Sequence, residues 1–377
     1  MKIALVTESF LPSLNGVTNS VLRVVDTLAQ HGHDVLIVAP TSVGPEYHGF
    51  PVVTCPFVPL GGFPVAIPTP QVTQTLDRFA PDLIHAAAPF WLGGQSLAYA
   101  AKRGIPSIAV YQTDVAGYME RYGLEFAGPL LQAITTAIHK PATLSLAPTT
   151  DGKDFLRSNG ITNVEVWGRG VDAQLFHPAR ASNPQAQALR DTWAPQGEKI
   201  IGYVGRLAPE KQVARLREVS TLPGTSLVIV GDGPDRAELE EHFAHQRVTF
   251  TGRLSGEELA DAYAAMDVFV HCGTEETFGQ TIQEAHASGL PVIAPQKGGQ
   301  RNLIRDGVDG YLVDHTRWGA FAEKVEALVT DNALRDQFSR AARVAVENNT
   351  WDKNNEELLR YYDWACASVG AASPIAA

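Results

Sequence analysis

The stretch SVLRVVDTLAQHGHDVLIVAP, residues 20–40, joins an amphipathic helical pattern directly to a run of apolar residues. Its first part repeats apolar residues at helical spacing, and DVLIVAP (34–40) has the length and composition of a buried strand. Another apolar run, KIALVT (2–7), precedes it. Strand, helix and strand in this order predict a parallel sheet with helices on both of its faces.

The same alternation continues outward from this stretch and then starts a second time. In the first half, DLIHAA (82–87) and PSIAVYQT (106–113) enclose the helical GQSLAYAAKRG (94–104). The second half contains six further apolar runs typical of strands, namely KIIGYVGR (199–206), SLVIVGDG (226–233), RVTFTGR (247–253), DVFVHCG (267–273), PVIAP (291–295) and GYLV (310–313). We therefore predict an α/β protein with two domains, residues 1–172 and 173–354, joined near the Gly- and Pro-rich segment 168–187. Ligands of such sheets bind outside the carboxyl ends of the strands.

Composition excludes several classes of protein. The 377 residues have a formal net charge of −11 and a pI near 5.5, which argues against non-specific binding of nucleic acid. Three scattered cysteines, and no Cys, His or Asp cluster at metal-ligand spacing, predict no disulfide framework, no required metal and no cofactor. The sequence has neither a signal-like leader nor an apolar run of about 18 residues, which favours a cytoplasmic protein.

Two cations follow the first strand of the second half. Arg206 ends KIIGYVGR, and Lys211 lies five residues further along the chain. A guanidinium and an ammonium group beyond a buried strand would suit a diphosphate. The alternative is a pair of surface cations at the start of a helix.

The stretch EETFGQTIQE (275–284) follows another strand and combines glutamates with a glycine. Gly279 would let a ligand approach the backbone, and a helix starting at Gln280 would present N–H groups that favour anions. With cations and amides available for phosphates, Glu276 and Glu284 are predicted to accept hydrogen bonds from sugar hydroxyls. The alternatives are a carboxylate that stabilises the helix start and a solvated helix face.

Candidates for the acceptor side lie in VYQTDVAGYMERYG (110–123), after a predicted strand. Asp114 could bind a hydroxyl or accept its proton, with Gln112 and Tyr118 beside it. Asp114 could equally cap a helix.

The remaining strand ends give weaker signals. The segment 230–240 contains GDGPDR, which lacks the third glycine of the dinucleotide fingerprint, and the loop after the first strand has only Gly16. Both features argue against a dehydrogenase. His85 and His271 each end a strand and are either cleft ligands or hydrogen-bonded core residues.

Together, these motifs resemble the retaining glycosyltransferases of family 4, the group 1 transferases with the GT-B fold. The resemblance covers nearly the whole chain, and its most specific part is the E-x7-E element from Glu276 to Glu284. Five further segments match in the same order: GVDAQLFHP, VGRLAPEK, IVGDGP, FTGRLS and GGQRNLIRDGVDGYLV. The resemblance implies two Rossmann-like, doubly wound domains facing across a cleft. It also implies that a final helix, at about 355–369, packs back onto the N-terminal domain.

The resemblance implies a role for each matching residue. Arg206 and Lys211 would neutralise the donor diphosphate, Glu284 would hold the ribose and Glu276 the transferred hexose. The other donor contacts would be Gly16 at the phosphates, Arg253 and Leu254 near the base, and Phe278, Gly279, Gln280 and Thr281 at the hexose and phosphate. The departing phosphate would take the acceptor proton on the same face, which retains the anomeric configuration.

One departure from the family concerns the acceptor side. Many relatives have a histidine in an HTD element, whereas this chain has Gln112 in YQTD. A neutral amide can neither act as a proton donor in catalysis nor carry charge near a phosphate. Asp114 and Gln112 therefore remain as acceptor-side candidates, with Asp114 grouped with the catalytic residues.

Within the family, FLPSLNGVTNSV and GTEETFGQTIQEAHASGLPV look closest to actinobacterial GDP-mannose-dependent α-mannosyltransferases that act on membrane glycolipids. The predicted partners are thus GDP-mannose and a lipid-linked sugar acceptor. UDP-sugar-dependent transferases that make sulfolipid or glucosyl lipids remain an alternative, and an epimerase, a phosphorylase or a nucleotide-sugar-binding protein is less favoured. The apolar segment 55–70 is either an acceptor mouth in peripheral contact with the inner face of the plasma membrane or a loop packed on its own domain.

Overall fold

A computed structural model of the chain describes residues 1–13, 15–60, 63–112 and 128–371. The strands in these ranges are β1 (Lys2–Thr7), β2 (Asp34–Ala39), β3 (Glu46–Tyr47), β4 (Phe50–Thr54), β5 (Phe57–Leu60), β6 (Phe63–Ala66), β7 (Leu83–Ala87), β8 (Ser107–Val110), β9 (Leu144–Ala147), β10 (Val164–Val166), β11 (Lys199–Val204), β12 (Thr225–Val230), β13 (Val248–Gly252), β14 (Val268–Val270), β15 (Val292–Pro295) and β16 (Gly310–Val313). The α-helices are α1 (Gly16–Gln30), α2 (Pro70–Phe79), α3 (Trp91–Arg103), α4 (Gly128–His139), α5 (Thr150–Ser158), α6 (Pro184–Trp193), α7 (Arg236–His242), α8 (Gly256–Ala265), α9 (Gln280–Ala287), α10 (Ala320–Thr330), α11 (Asn332–Val346) and α12 (Trp351–Ala371).

The first compact unit contains the chain up to Arg169 together with the final helix from Trp351. Its main sheet has the strand order β10-β9-β8-β7-β1-β2-β4-β3. All neighbouring strands run parallel except β3, which is antiparallel to β4. The chain order of the strands reverses on either side of β1, as in a doubly wound sheet.

Alternate residues of β1 enter two different cores. Ile3 and Leu5 pack with the apolar face of α1, whereas Ala4 and Val6 pack with α2 and α3 on the other face of the sheet. This explains why the strand is apolar throughout, since both of its faces are covered. Asn15 accepts hydrogen bonds from the first N–H groups of α1 and so fixes where that helix begins.

The final helix, α12, belongs to the core of the first unit. Leu358 and Tyr362 lie in the same cluster as Ile3 and Leu5. The Asn355 side chain also donates a hydrogen bond to the Thr27 hydroxyl of α1, over 2.8 Å.

His85 is a core residue rather than a ligand. Its Nδ1 atom lies 2.7 Å from the hydroxyl of Tyr362, and burial lowers the pKa of His85 to about 3. Of the two roles predicted for it, the structure supports the hydrogen-bonded core histidine.

The second unit extends from Gly170 to Thr350. Its sheet has the order β13-β12-β11-β14-β15-β16 and is parallel throughout. Ile201 and Tyr203 of β11 enter one core, and Ile200 and Val204 enter the other. The strand order reverses between β11 and β14, so these two strands flank the position where doubly wound sheets bind ligands.

The apolar segment 55–70 contains two short strands, β5 and β6, which pair antiparallel. Phe57 is 43% exposed and Val58 is 52% exposed. Within the described part of the chain, no helix combines the length and the hydrophobicity needed to cross a membrane.

Candidate functional site

The carboxyl ends of β11 and β14 lie side by side in the second unit and carry the predicted catalytic residues. Arg206 and Lys211 follow β11, and Lys211 ends a short 3-10 turn that begins at Pro209. Glu276 follows β14 in the loop that leads to α9. Parallel pairing of β11 with β14 brings both loops to the same edge of the sheet.

Lys211 and Glu276 form an ion pair at this edge. The Lys211 Nζ atom lies 2.7 Å from the Glu276 Oε2 atom, and the two side chains are 22% and 18% exposed. Burial acts to lower the pKa of Lys211, but the adjacent Glu276 carboxylate outweighs it and raises the pKa. The lysine is therefore charged. Lys211, which is predicted to bind the phosphates, and Glu276, which is predicted to bind the hexose, contact each other directly.

Tyr203 supports the loop that carries Arg206. Its hydroxyl donates a hydrogen bond to the carbonyl oxygen of Arg206 over 3.1 Å. A Cβ atom at Gly205 would lie 2.6 Å from that hydroxyl oxygen, so the glycine leaves room for the contact. This role of Tyr203 could not be predicted from the sequence, because its position within an apolar strand predicts only a core residue.

Two glycines after β15 shape the loop that carries Glu276. The Gly299 N–H donates a hydrogen bond to the Glu276 carbonyl oxygen over 2.6 Å. A Cβ atom at Gly299 would lie 2.5 Å from the carbonyl oxygen of Thr277, and one at Gly298 would lie 2.8 Å from that of Thr274. The Gln300 side chain adds a hydrogen bond to the Gly273 carbonyl oxygen over 3.1 Å. This close backbone contact fixes the position of the glutamate.

We expect Gly299→Ala to destabilise the second unit and to reduce turnover, because the added methyl group would collide with backbone that cannot rotate away. Overpacking of this kind typically costs about 1–3 kcal/mol. Urea unfolding measures the cost. Gly44→Ala is the matched control, since a Cβ atom there meets nothing within 4 Å. Equal stability of the two variants would contradict the role assigned to Gly299.

Helix α9 begins where the backbone takes a left-handed turn. Gly279 has a φ of 104°, a conformation that favours glycine, and it immediately precedes the helix. The side chain of Gln280 donates a hydrogen bond to the Gly170 carbonyl oxygen over 3.0 Å. The helix start and the chain entering the unit are thereby held together.

Glu284 lies on α9 beside Tyr263, whose hydroxyl donates to its Oε2 atom over 3.1 Å. Burial raises the pKa of Glu284 to about 7, and the Tyr263 hydrogen bond only partly opposes this effect. A carboxyl group with this pKa changes charge close to neutral pH.

We expect donor affinity to increase as the pH rises from 6 to 8. Ribose hydroxyls donate hydrogen bonds to the ionised form of Glu284, and that form becomes populated as the pH passes about 7. The KM for the donor should therefore fall by up to roughly tenfold per pH unit below the pKa. Glu284→Gln should remove this dependence. A pH profile of KM that is identical in the variant would exclude Glu284 as its origin.

The other predicted donor contacts of this unit differ in their surroundings. Phe278 is 3% exposed, so its ring is a core side chain and only its backbone could meet a ligand. The Thr281 carbonyl oxygen accepts a hydrogen bond from Tyr263 over 3.2 Å. Arg253 and Leu254 follow β13, at the same edge of the sheet as Arg206 but two strands away. Leu254 packs against the core, and Arg253 is exposed.

In the first unit, the buried Arg169 contacts Gln112 and lies close to Gly16, which are two of the predicted site residues. Arg169, 7% exposed, donates from Nη2 to the Oε1 atom of Gln112 over 2.8 Å. A Cβ atom at Gly16 would lie 2.9 Å from the Nη1 atom of Arg169. A methyl group at Gly16 would therefore displace the guanidinium of Arg169, a residue for which the sequence pattern predicts no role. Asp114 and Tyr118 lie outside the described residues.

An apolar hollow of about 420 Å³ opens on the first unit between α3 and α4. Its lining is contributed mainly by Phe90, Trp91, Ile134, Ile138 and Pro68. Trp91 is 44% exposed. Across the described ranges, no group of three His, Cys, Asp or Glu side chains is arranged to hold a metal ion.

Solved structures with the same fold include glycosyltransferases. Anabaena Alr3699/HepE in complex with UDP superposes with a TM-score of 0.81 at 19% identity, over 96% of this chain and 100% of that one. Sucrose-phosphate synthase from Thermosynechococcus elongatus gives a TM-score of 0.78 at 21% identity, over 97% and 99% of the two chains. Two doubly wound units of this kind define the GT-B class, which confirms the predicted fold.

Sequence comparison identifies the family. Residues 14–175 match the family described as Glycosyltransferase Family 4, and residues 185–345 match Glycosyl transferases group 1. The GDP-mannose-dependent alpha-mannosyltransferase of Corynebacterium glutamicum is 43% identical over 96% of this chain and 88% of its own length. That of Mycobacterium tuberculosis is 41% identical over 96% of both chains. The sulfoquinovosyl transferase SQD2 of Arabidopsis thaliana is 29% identical over 99% of this chain and 77% of its own. The chain belongs to glycosyltransferase family 4, as the sequence motifs predicted.

Proposed function

We propose that the chain transfers mannose from GDP-mannose to a glycolipid acceptor and retains the anomeric configuration. The observation that carries this proposal is the identity of 41–43% to GDP-mannose-dependent alpha-mannosyltransferases over 96% of the chain. Matches of this extent include both units, and therefore the residues predicted for the donor and those predicted for the acceptor.

The chemistry of the donor side follows from the charges at the ends of β11 and β14. The departing GDP gains negative charge as the glycosidic bond breaks, and Arg206 and Lys211 would stabilise that charge. Glu276 would accept hydrogen bonds from the mannose hydroxyls and Glu284 from the ribose. The backbone at 278–281 would contact the hexose and phosphate, and the base would lie near Arg253.

Retention requires no side-chain nucleophile in this proposal. The bond between the anomeric carbon and the phosphate oxygen breaks, the departing phosphate takes the proton of the acceptor hydroxyl, and the hydroxyl oxygen bonds to the anomeric carbon on the same face. The phosphate leaves with the proton, so charge and atoms balance. The anomeric coupling constants of the product, measured by NMR, test this step, and a β-mannoside would exclude it. The roles predicted for Gly16, Gln112, Asp114 and Tyr118 stay predictions.

The acceptor proposal is supported by the apolar surface of the first unit. The hollow beside Trp91 is lined by aliphatic and aromatic side chains, and Phe57 and Val58 of β5 are also exposed. Such surfaces suit the acyl part of a lipid whose sugar carries the reacting hydroxyl. Contact with the membrane would then be peripheral, at the inner face of the plasma membrane.

Nucleotide release from GDP-mannose, UDP-glucose and UDP-galactose tests the donor, each measured with and without a membrane lipid extract and in the presence of EDTA. We expect GDP release from GDP-mannose alone, and only when lipid is added. The 29% identity to the Arabidopsis sulfoquinovosyl transferase favours one alternative, a sulfolipid-type transferase, for which we expect a UDP-sugar donor. Lipid-dependent release of UDP would establish that alternative, and release without lipid would indicate an epimerase or hydrolase.

A further inference from the structure

His271 follows β14 at the sheet edge that carries Lys211 and Glu276, and the proposed mechanism gives it no role. The residue is 2% exposed. Neither of its ring nitrogens makes a hydrogen bond of normal geometry to the residues that the structure describes, and the neighbouring Gly273 backbone, which acts to raise the pKa of His271, does not reach that geometry. Buried polar atoms in this state cost stability and call for an explanation. A role in the site would supply one.

The ring faces the Lys211–Glu276 ion pair. The His271 Nε2 atom lies 3.8 Å from the Glu276 Oε2 atom, the same oxygen that Lys211 Nζ contacts at 2.7 Å. Gly273 lies between the two side chains, and a Cβ atom there would be 3.4 Å from His271 Nε2 and 3.4 Å from Lys211 Cα. The Glu276 Oε2 atom thus has the Lys211 ammonium group as a bonded cation and the His271 imidazole slightly further away.

The imidazole is neutral at physiological pH. Burial lowers the pKa of His271 to about 4, and Glu276 opposes that effect only in part. A neutral ring can donate one N–H without adding a positive charge. It can therefore hold the Glu276 carboxylate in place while leaving its negative charge available to sugar hydroxyls.

We propose that His271 is a positioning residue, which takes over the Glu276 carboxylate when Lys211 turns to the donor diphosphate. The inference rests on the proposed function, in which Lys211 neutralises the diphosphate and Glu276 holds the hexose. A neutral donor beside the same carboxylate oxygen could keep that oxygen in place during the turn. A movement of about 1 Å would bring Nε2 within hydrogen-bond distance of Oε2.

His271→Phe and His271→Gln test this role. Phenylalanine keeps an aromatic side chain, of somewhat larger volume, but removes both nitrogens, so any fall in melting temperature should be no larger than that of the same substitution at the equally buried His286. Its kcat with GDP-mannose should fall about 10- to 100-fold, the loss expected for one hydrogen bond to a charged group. The inhibition constant of GDP, which has no sugar, should stay unchanged. Glutamine can place an amide N–H near Glu276 and should restore much of the rate.

The control is His286→Phe. His286 of α9 is equally buried, at 0% exposure, and its nitrogens also have no partner among the described residues. We expect its kcat to stay that of the wild type. Glu276→Gln should abolish the effect of His271→Phe, because His271 acts through that carboxylate.

A His271→Phe variant with unchanged kcat, or with an effect on kcat that persists beside Glu276→Gln, would overturn the inference. Failure of the proposed function is recognised separately, since the wild type would then not use GDP-mannose. If the wild type used a UDP-sugar, the same comparison would be made with that donor.

Discussion

Lys211→Ala should lower kcat/KM for the donor about 10²- to 10³-fold, which corresponds to about 2.7–4 kcal/mol of transition-state stabilisation. The ammonium group lies 2.7 Å from the Glu276 carboxylate, and the proposed mechanism places its charge beside the departing diphosphate. The substitution removes that charge and also removes the ion pair between Lys211 and Glu276. Initial rates of nucleotide release, measured over a range of donor concentrations, give the effect.

Two further variants serve as comparisons for this result. Lys211→Arg keeps the charge but changes its geometry, so we expect an intermediate rate. Lys102→Ala removes an exposed lysine at the end of α3 and should have the rate of the wild type. A Lys211→Ala enzyme with near wild-type kcat/KM would exclude the leaving-group role of this lysine.

Glu276→Gln should reduce kcat about 10- to 100-fold and should leave GDP affinity unchanged or increased. The lower rate follows because hydrogen bonds from sugar hydroxyls to a charged acceptor are replaced by weaker ones to an amide. The affinity for GDP should not fall, since Lys211 no longer has a competing carboxylate. Steady-state kinetics and competitive inhibition by GDP separate the two quantities.

Glu275→Gln is the neighbouring control for this experiment. Glu275 lies 3.5 Å from the Nζ atom of Lys297 and accepts a hydrogen bond from the Thr274 hydroxyl. Its loss should affect loop stability more than turnover. Were Glu276→Gln to weaken GDP binding as strongly as it slows turnover, Glu276 would have to contact the nucleotide rather than the hexose.

The order of strands and helices could be predicted from the sequence because each element carries its own signal. Apolar strands such as β1 and β11 are covered on both faces, so their composition is visible without knowledge of the partners. The strand-end position of Arg206 and Glu276 could also be predicted, since it depends only on where a strand stops.

The contacts between loops could not be predicted in the same way. Lys211 and Glu276 are 65 residues apart, and their pairing depends on β11 lying next to β14. The glycines of the segment 230–240 illustrate the same limit. A Cβ atom at Gly231 would lie 1.9 Å from the Gly205 carbonyl oxygen, and one at Gly233 would lie 2.2 Å from that of Leu207. These glycines allow two backbone segments to pack.

The roles of His85 and Arg169 also depend on contacts that the sequence does not show. The sequence left open whether His85 is a ligand or a core residue, and only the return of α12 with Tyr362 decides for the core. Arg169 follows a strand, as ligand-binding residues do, but its contact with Gln112 depends on the packing of β8, β9 and β10 in one sheet. Single-residue patterns contain no information about such neighbours.

Transfer of radiolabelled mannose from GDP-mannose into lipid extractable with organic solvent tests the central proposal most directly. We predict that label enters the lipid fraction in equal amount to the GDP released, and that it does so only with enzyme and a membrane lipid acceptor together. GDP release without labelled lipid, or labelled lipid formed from a UDP-sugar in place of GDP-mannose, would contradict the proposed reaction.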